Sequence, residues 1–266
     1  MPAIQGRDGN LIHYRDFSFA LPWQAQRPVI LVHGLGCTWE VWLRQIPALA
    51  NSRRVIAIEC RGSGASRPAQ QGWTMWDMGD DIATLVESLG LDRPDVVGLS
   101  MGGAVAMHFA IAHPVLLNRL ITIGAPVGAI EAVRATRGAD FDFIQSNPIE
   151  VIARKRMERA FTGSPDPRHR DWMIDMISSM NIDDYRSQAR AGVIMDLYDR
   201  LDQIQAPHEV INGEAETVVI PTVARYIVEH NPRARLHLIP GGRHFWNLEE
   251  PEACNALLLK LLADQG

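Results

Sequence analysis

The chain has 266 residues, of which 47% are hydrophobic and 21% charged, with 21 Gly, 16 Pro and 3 Cys. Disorder needs lower hydrophobicity and higher net charge, collagen needs a glycine in every third place, and a disulfide scaffold needs many more cysteines. The composition therefore describes a globular chain long enough to bury its own core. The net charge of −5 comes from 26 Lys and Arg against 31 Asp and Glu, and no basic run exceeds Arg154-Lys155-Arg156, which disfavours nucleic acid or an anionic membrane as partner.

The first residues lack the basic and apolar regions of a signal peptide. The apolar stretch from Val96 to Ala112 is interrupted by glycines, Ser100 and His108 and falls short of the roughly 20 apolar residues of a membrane span. Cys37, Cys60 and Cys254 lie far apart without a CxxC pair, as reduced structural thiols do, so a cytoplasmic location is expected.

Asp8-Gly9, set between Ile4 and the alternating stretch Leu11 to Phe17, predicts an N-terminal β-hairpin. Short runs then follow at 29–32, 55–58, 96–99, 120–123, around 210–211 and at 236–239. Most are apolar on successive residues, as in strands covered on both faces of a parallel sheet. Helical patterns occupy roughly 38–50, 74–90 with Thr74 and Asp77 as a capping pair, 101–113 up to Pro114, 222–231 and 249–263. This alternation predicts an α/β fold with a mostly parallel sheet and helices on both faces.

The alternation stops between about Val127 and Arg200, where helical patterns and loop signals occur without a strand. Residues 1–126 and 201–266 are thus expected to form the core, and 127–200 a helical cap over the carboxyl edge of the sheet. Met157, Met173, Met176, Met180 and Met195 fall in the cap; thioethers adapt to irregular surroundings and would either line a pocket or join the cap helices.

Gly98-Leu-Ser100-Met-Gly102 carries the sharpest chemical signal. A nucleophilic serine must project from a tight strand-to-helix turn, and glycines two before and two after relieve the crowding there. The bland reading, Ser100 as a helix cap, explains the hydroxyl but neither glycine. A serine needs a base, and the base needs a group that fixes its tautomer. Of 9 histidines, His244 lies in a glycine-flanked loop after the last strand, where it can reach the same sheet edge. The acid belongs at the strand end between them, where Glu216 is the first choice and Glu214 the rival.

His33-Gly-Leu-Gly36 follows the first buried strand. It offers the N–H of Leu35, paired with that of Met101, as an oxyanion hole, with His33 as a loop brace. Gly34, Trp39, Phe245 and Trp246 are candidate pocket residues. Trp39 and Trp42, three apart, are otherwise core. No metal motif, P-loop or cofactor site is read, and none is expected.

Taken together, His33-Gly-Leu-Gly36, Glu59-Cys-Arg-Gly-Ser-Gly-Ala-Ser66, Gly98 to Gly102, Gly213 to Glu216 and His244 to Pro251 resemble the α/β-hydrolase superfamily, in the branch with a helical cap. The resemblance implies an eight-stranded, mostly parallel sheet and a Ser–acid–His triad. Two positions depart from the family pattern: Glu59 and Glu216 stand where Asp is usual, and proline follows the acid after five residues instead of four. His244-Phe-Trp-Asn-Leu-Glu-Glu-Pro251 is similar to small-molecule esterases, enol-lactone hydrolases and cofactor-free haloperoxidase-like members.

The implied function is hydrolysis of a small, largely apolar ester or lactone through an acyl-enzyme on Ser100. The alternatives are a hydrolase-fold receptor with little turnover, a carbon–carbon bond hydrolase or a haloperoxidase-like enzyme. A dehalogenase or epoxide hydrolase would carry Asp at position 100. A dinucleotide site at Gly34-Leu-Gly36 fails because Trp39 occupies the third glycine position.

Overall fold

The computed structural model describes residues 1–23, 25–67, 69, 71–128 and 134–263. Among these residues the fold is built on one sheet of eight strands: β1 (Ala3–Gln5), β2 (Leu11–Phe17), β3 (Gln26–Val32), β4 (Arg53–Ile58), β5 (Asp95–Leu99), β6 (Leu120–Ile123), β7 (His208–Gly213) and β8 (Ala234–Ile239). Their order is β1-β2-β4-β3-β5-β6-β7-β8. β1 and β2 form the expected antiparallel hairpin, β2 runs antiparallel to β4, and every pair from β4 to β8 is parallel.

The central strands β5, β6 and β7 are buried at every residue, which is why β5 and β6 read as mostly apolar runs, whereas β7 buries His208, Glu209 and Asn212 around Val210 and Ile211. Successive residues face opposite layers. Ile30, Ile56 and Val96 pack with Ile82, Phe109 and Ile227 on one face, from α2 (Met75–Ser88), α3 (Met101–Ala112) and α8 (Pro221–His230). Leu31, Ala57 and Val97 pack with Trp42, Leu49 and Leu258 on the other, which carries α1 (Ile46–Ala50), the short α9 (Trp246–Glu249) and α10 (Pro251–Leu262).

Thr74 and Asp77 cap α2 reciprocally, as the sequence pattern predicts. The helix expected over 38–50 is a correction: the chain makes a 3-10 turn at Trp39–Trp42, capped by Thr38, and then the five-residue α1. Pro47 sits in the first turn of α1 and has no N–H to donate backwards, so a helix entering from residue 39 cannot run through it.

Between β6 and β7 the chain forms α4 (Arg134–Ser146), α5 (Ile149–Ala160), α6 (Pro167–Ser178) and α7 (Ile182–Ile194), with no strand among the described residues; positions 129–133 of the expected cap lie outside them. Ile152, Met173 and Tyr185 of these helices are buried in one apolar cluster with the Trp42 face of the sheet. Gln188 of α7 ties the helices to the sheet edge: its Oε1 accepts from Gly36 N at 3.2 Å, and its Nε2 donates to Arg61 O at 2.8 Å and Ser63 Oγ at 2.7 Å.

Three fully buried histidines make the fold sensitive to acid. His33 accepts from Cys60 N at Nε2 (3.0 Å) and donates from Nδ1 to Gly34 O (2.9 Å), so it braces the loop as a neutral ring. His208 accepts from Asn231 Nδ2 (3.1 Å) and donates to Thr122 Oγ1 (2.9 Å), and His108 donates to Ala104 O (2.8 Å). Burial lowers their pKa values from 6.5 to about 4, 3 and 4 for His33, His208 and His108. The unfolded chain therefore takes up protons near pH 6.5 that the folded protein refuses until about pH 4 to 3. Stability falls as pH drops through that window, by roughly 1.4 kcal/mol per pH unit for each ring. Urea titrations at pH 7, 6 and 5 should show midpoints declining steeply, and His208→Asn should flatten the decline while costing stability at pH 7. Midpoints independent of pH across this range would refute the account.

Candidate active site

The carboxyl ends of β5, β7 and β8 converge on one point. At the end of β5, Ser100 holds φ +53° and ψ −120°, a left-handed conformation that costs a non-glycine residue on the order of 1–3 kcal/mol. Its surroundings enforce it: Ser100 N donates to Ile123 O at 2.8 Å, and Ser100 O accepts from Gly103 N at 2.9 Å. The two glycines of the motif are required sterically. A Cβ on Gly98 would stand 2.4 Å from Gly102 O, and one on Gly102 would stand 2.2 Å from Val32 O. The Ser100 side chain caps no backbone N–H of α3, so the helix-cap reading does not describe it.

His244 lies in the loop after β8, and its Nε2 is 3.0 Å from Ser100 Oγ. Its Nδ1 is 2.7 Å from Glu216 Oε2, in the turn after β7. Ser100 Oγ is the donor in the first contact when Nδ1 carries the ring proton and donates it to the carboxylate. Glu216 is anchored by its other oxygen, which accepts from Val218 N at 2.6 Å and Val219 N at 3.2 Å. Burial by itself would raise the Glu216 pKa, but the facing His244 and the two backbone donors outweigh it and hold the carboxyl below its ordinary value. Glu214 is exposed, two residues away on the same turn. The structure thus brings Ser100, His244 and Glu216 together and leaves Glu214 outside.

Gly124, just past β6, is a site residue that sequence reasoning missed. With φ +54°, it passes beneath the acid–imidazole contact. A Cβ there would lie 3.2 Å from Glu216 Oε2 and 3.4 Å from His244 Nδ1. Its only signal in the sequence was a glycine directly after an apolar run. Gln188 was also missed, since a glutamine inside a helical pattern carries no mark of the loops it bridges.

The N–H groups of Leu35 and Met101 donate to no partner among the described residues. Both residues line the space above Ser100, as an oxyanion hole requires. That space has two lobes of about 150 and 120 Å³, which share Leu35, Ser100, Asp140, Ile144, Arg156 and Val218. The first is walled by apolar groups such as Met75, Val127, Met195 and Val223, the second by Phe143, Met157, Phe245 and several charged residues.

Among the candidate pocket residues, Gly34 and Phe245 line the second lobe. Trp39 and Trp246 line neither lobe, and this corrects their expected place. Trp39 packs against Phe17 and beneath the Arg15 guanidinium, and Trp246 is buried in the core. Of the five cap methionines, Met157 and Met195 reach the lobes, while Met173, Met176 and Met180 are buried in the apolar cluster. No group of His, Cys, Asp and Glu among the described residues is arranged to hold a metal, and no helix among them is long and apolar enough to cross a membrane.

Comparison with known proteins agrees with this architecture. A protein named "Putative carbamate hydrolase RutD" from Caulobacter sp. (strain K31) is 28% identical, covering 92% of this chain and 94% of its own. The solved esterase from Exiguobacterium antarcticum superposes with a TM-score of 0.89 at 22% identity, over 98% of both chains. The enol-lactonase from Burkholderia xenovorans LB400 superposes with a TM-score of 0.88 at 21% identity, over 99% of this chain and 100% of its own. The family model described as the alpha/beta hydrolase fold matches residues 27–162. The chain belongs to the α/β hydrolase fold family and is an α/β-fold hydrolase.

Proposed function

We propose that the protein is a serine hydrolase that cleaves a small, largely apolar ester or lactone, with residues 127–200 as the cap over a core of 1–126 and 201–266. Ser100 Oγ attacks the acyl carbonyl and gives its proton to His244 Nε2, while Glu216 holds the Nδ1–H side of the ring. The N–H groups of Leu35 and Met101 receive the charge that develops on the carbonyl oxygen. His244 then passes the proton to the leaving oxygen, and the C–O bond breaks. Water, deprotonated by the same nitrogen, attacks the acyl-enzyme and releases the acid.

The observation that supports this reading most is the unbroken chain of contacts from Ser100 Oγ to His244 Nε2 at 3.0 Å and from His244 Nδ1 to Glu216 Oε2 at 2.7 Å, on the wall of a cavity. The small lobe volumes favour a compact substrate, and the three buried, free cysteines fit a reducing, cytoplasmic setting.

A fluorophosphonate should attach covalently to Ser100 and to no other serine, as read by mass spectrometry of peptides. Panels of p-nitrophenyl esters and of lactones should then show turnover that falls with acyl length. An unlabelled Ser100 together with tight binding of small esters would instead make the site a receptor.

A further inference from the structure

The charged side chains lining the two lobes, besides the His244 ring, are Asp140, Lys155, Arg156 and Arg159. Three of them are engaged. Asp140 Oδ2 accepts from Arg159 Nη1 at 3.2 Å, and Arg159 also donates to Thr217 O through Nε at 2.9 Å and Nη2 at 2.6 Å. The Lys155 ammonium lies 3.6 Å over the centre of the Phe143 ring.

Arg156 is different. It projects from α5 into the space shared by both lobes, which Ser100 also lines. Its Nε is buried without a hydrogen-bond partner, and no carboxylate among the described residues pairs with its guanidinium. A guanidinium held at an apolar cavity without an anion is costly, and its planar fork matches a carboxylate in two parallel hydrogen bonds. The lobe bounded by Met75, Val127, Met195 and Val223 accommodates an apolar segment, whereas Lys155 and Arg159 line only the other lobe and make it more positive.

We infer that Arg156 is a specificity-determining residue that receives a carboxylate carried by the substrate away from the scissile bond, so that the substrates are esters or lactones with one anionic end. This rests on the acyl-transfer reading above and narrows its substrate class.

The test compares p-nitrophenyl pentanoate, hexanoate and heptanoate with the mono-p-nitrophenyl esters of glutarate, adipate and pimelate, after subtraction of spontaneous hydrolysis. The wild type should favour at least one anionic ester over its neutral partner. Arg156→Met should lower kcat/KM for that ester by roughly 10- to 100-fold, mainly through KM, the scale of lost hydrogen bonds to a charged group. It should leave the neutral esters within about threefold, and Arg156→Lys should recover part of the loss. Equal losses on both series, or a preference for the neutral ester at every length, would overturn the inference and make Arg156 a structural residue.

Calorimetric titration with adipate decides the point independently of turnover. The wild type should bind it at least tenfold more tightly than Arg156→Met, and equal affinities would overturn the inference. If no ester of either series is hydrolysed, the acyl-transfer reading fails alone, and the titration still judges Arg156.

Discussion

Ser100→Ala is expected to lower turnover of a p-nitrophenyl ester by roughly 10⁶-fold, because in the proposed mechanism the nucleophile, its base and the orienting acid act as a unit and the loss of one forfeits most of what all three supply. On the proposed mechanism the residual rate would come from the Leu35 and Met101 donors and from binding. Alanine keeps a Cβ, so the strained backbone at φ +53° is neither relieved nor worsened, and the contacts of Ser100 N with Ile123 O and of Ser100 O with Gly103 N are unaffected. The variant should therefore melt within a degree or two of the wild type. A catalytic collapse without a stability change separates a missing nucleophile from a misfolded enzyme. Retention of most of the activity, measured against contaminating esterase by fluorophosphonate titration of active sites, would remove Ser100 from the mechanism.

What could be read in the sequence divides along physical lines. The parallel strands were legible because burial on both faces imposes apolar residues at successive positions, as in Val96, Val97 and Leu99 of β5. The proposed nucleophile was legible because its turn tolerates no side chain at positions 98 and 102, which leaves a mark of two glycines at fixed spacing. The proposed base, His244, was legible by its place after β8. The proposed acid was legible only as a pair of glutamates, since the turn that buries Glu216 and exposes Glu214 depends on the N–H groups of Val218 and Val219 reaching one and not the other.

Pocket residues were the least legible. A tryptophan near an active-site loop in sequence has the same apolar pattern whether it faces a cavity or the core, and Trp39 and Trp246 line neither lobe. Arg156 sits in the most basic stretch of the chain, Arg154-Lys155-Arg156, which reads as a solvated face. Only the helix orientation separates it from Arg154, which is exposed. Gln188 and Gly124 act across segments distant in sequence, where periodicity carries no information.

Glu216→Gln should lower kcat/KM by about 10⁴-fold, the scale seen when the orienting carboxylate of a serine triad becomes its amide. The reason lies in the acceptor count. Glu216 uses both oxygens as acceptors: one takes the N–H groups of Val218 and Val219, the other takes His244 Nδ1–H at 2.7 Å. A glutamine has one oxygen and one donor NH₂. With its oxygen toward Val218 and Val219, the NH₂ faces His244 and demands Nδ1 as acceptor, which moves the ring proton to Nε2. That nitrogen then points an N–H at Ser100 Oγ and is unable to take its proton. With the amide turned over, the NH₂ meets two backbone donors at 2.6 and 3.2 Å, and the buried turn loses its acceptor. The first orientation disables the base, and the second keeps its tautomer only by leaving the N–H groups of Val218 and Val219 facing a donor, which destabilises the turn that holds residue 216 against His244. Glu214→Gln, on the exposed position of the same turn, should change kcat/KM by less than about twofold, since a solvated side chain with no contact to His244 orients nothing. The two variants, assayed side by side on one ester, decide the assignment: a greater loss in Glu214→Gln than in Glu216→Gln would transfer the acid role to Glu214 and require the turn after β7 to rearrange when substrate binds.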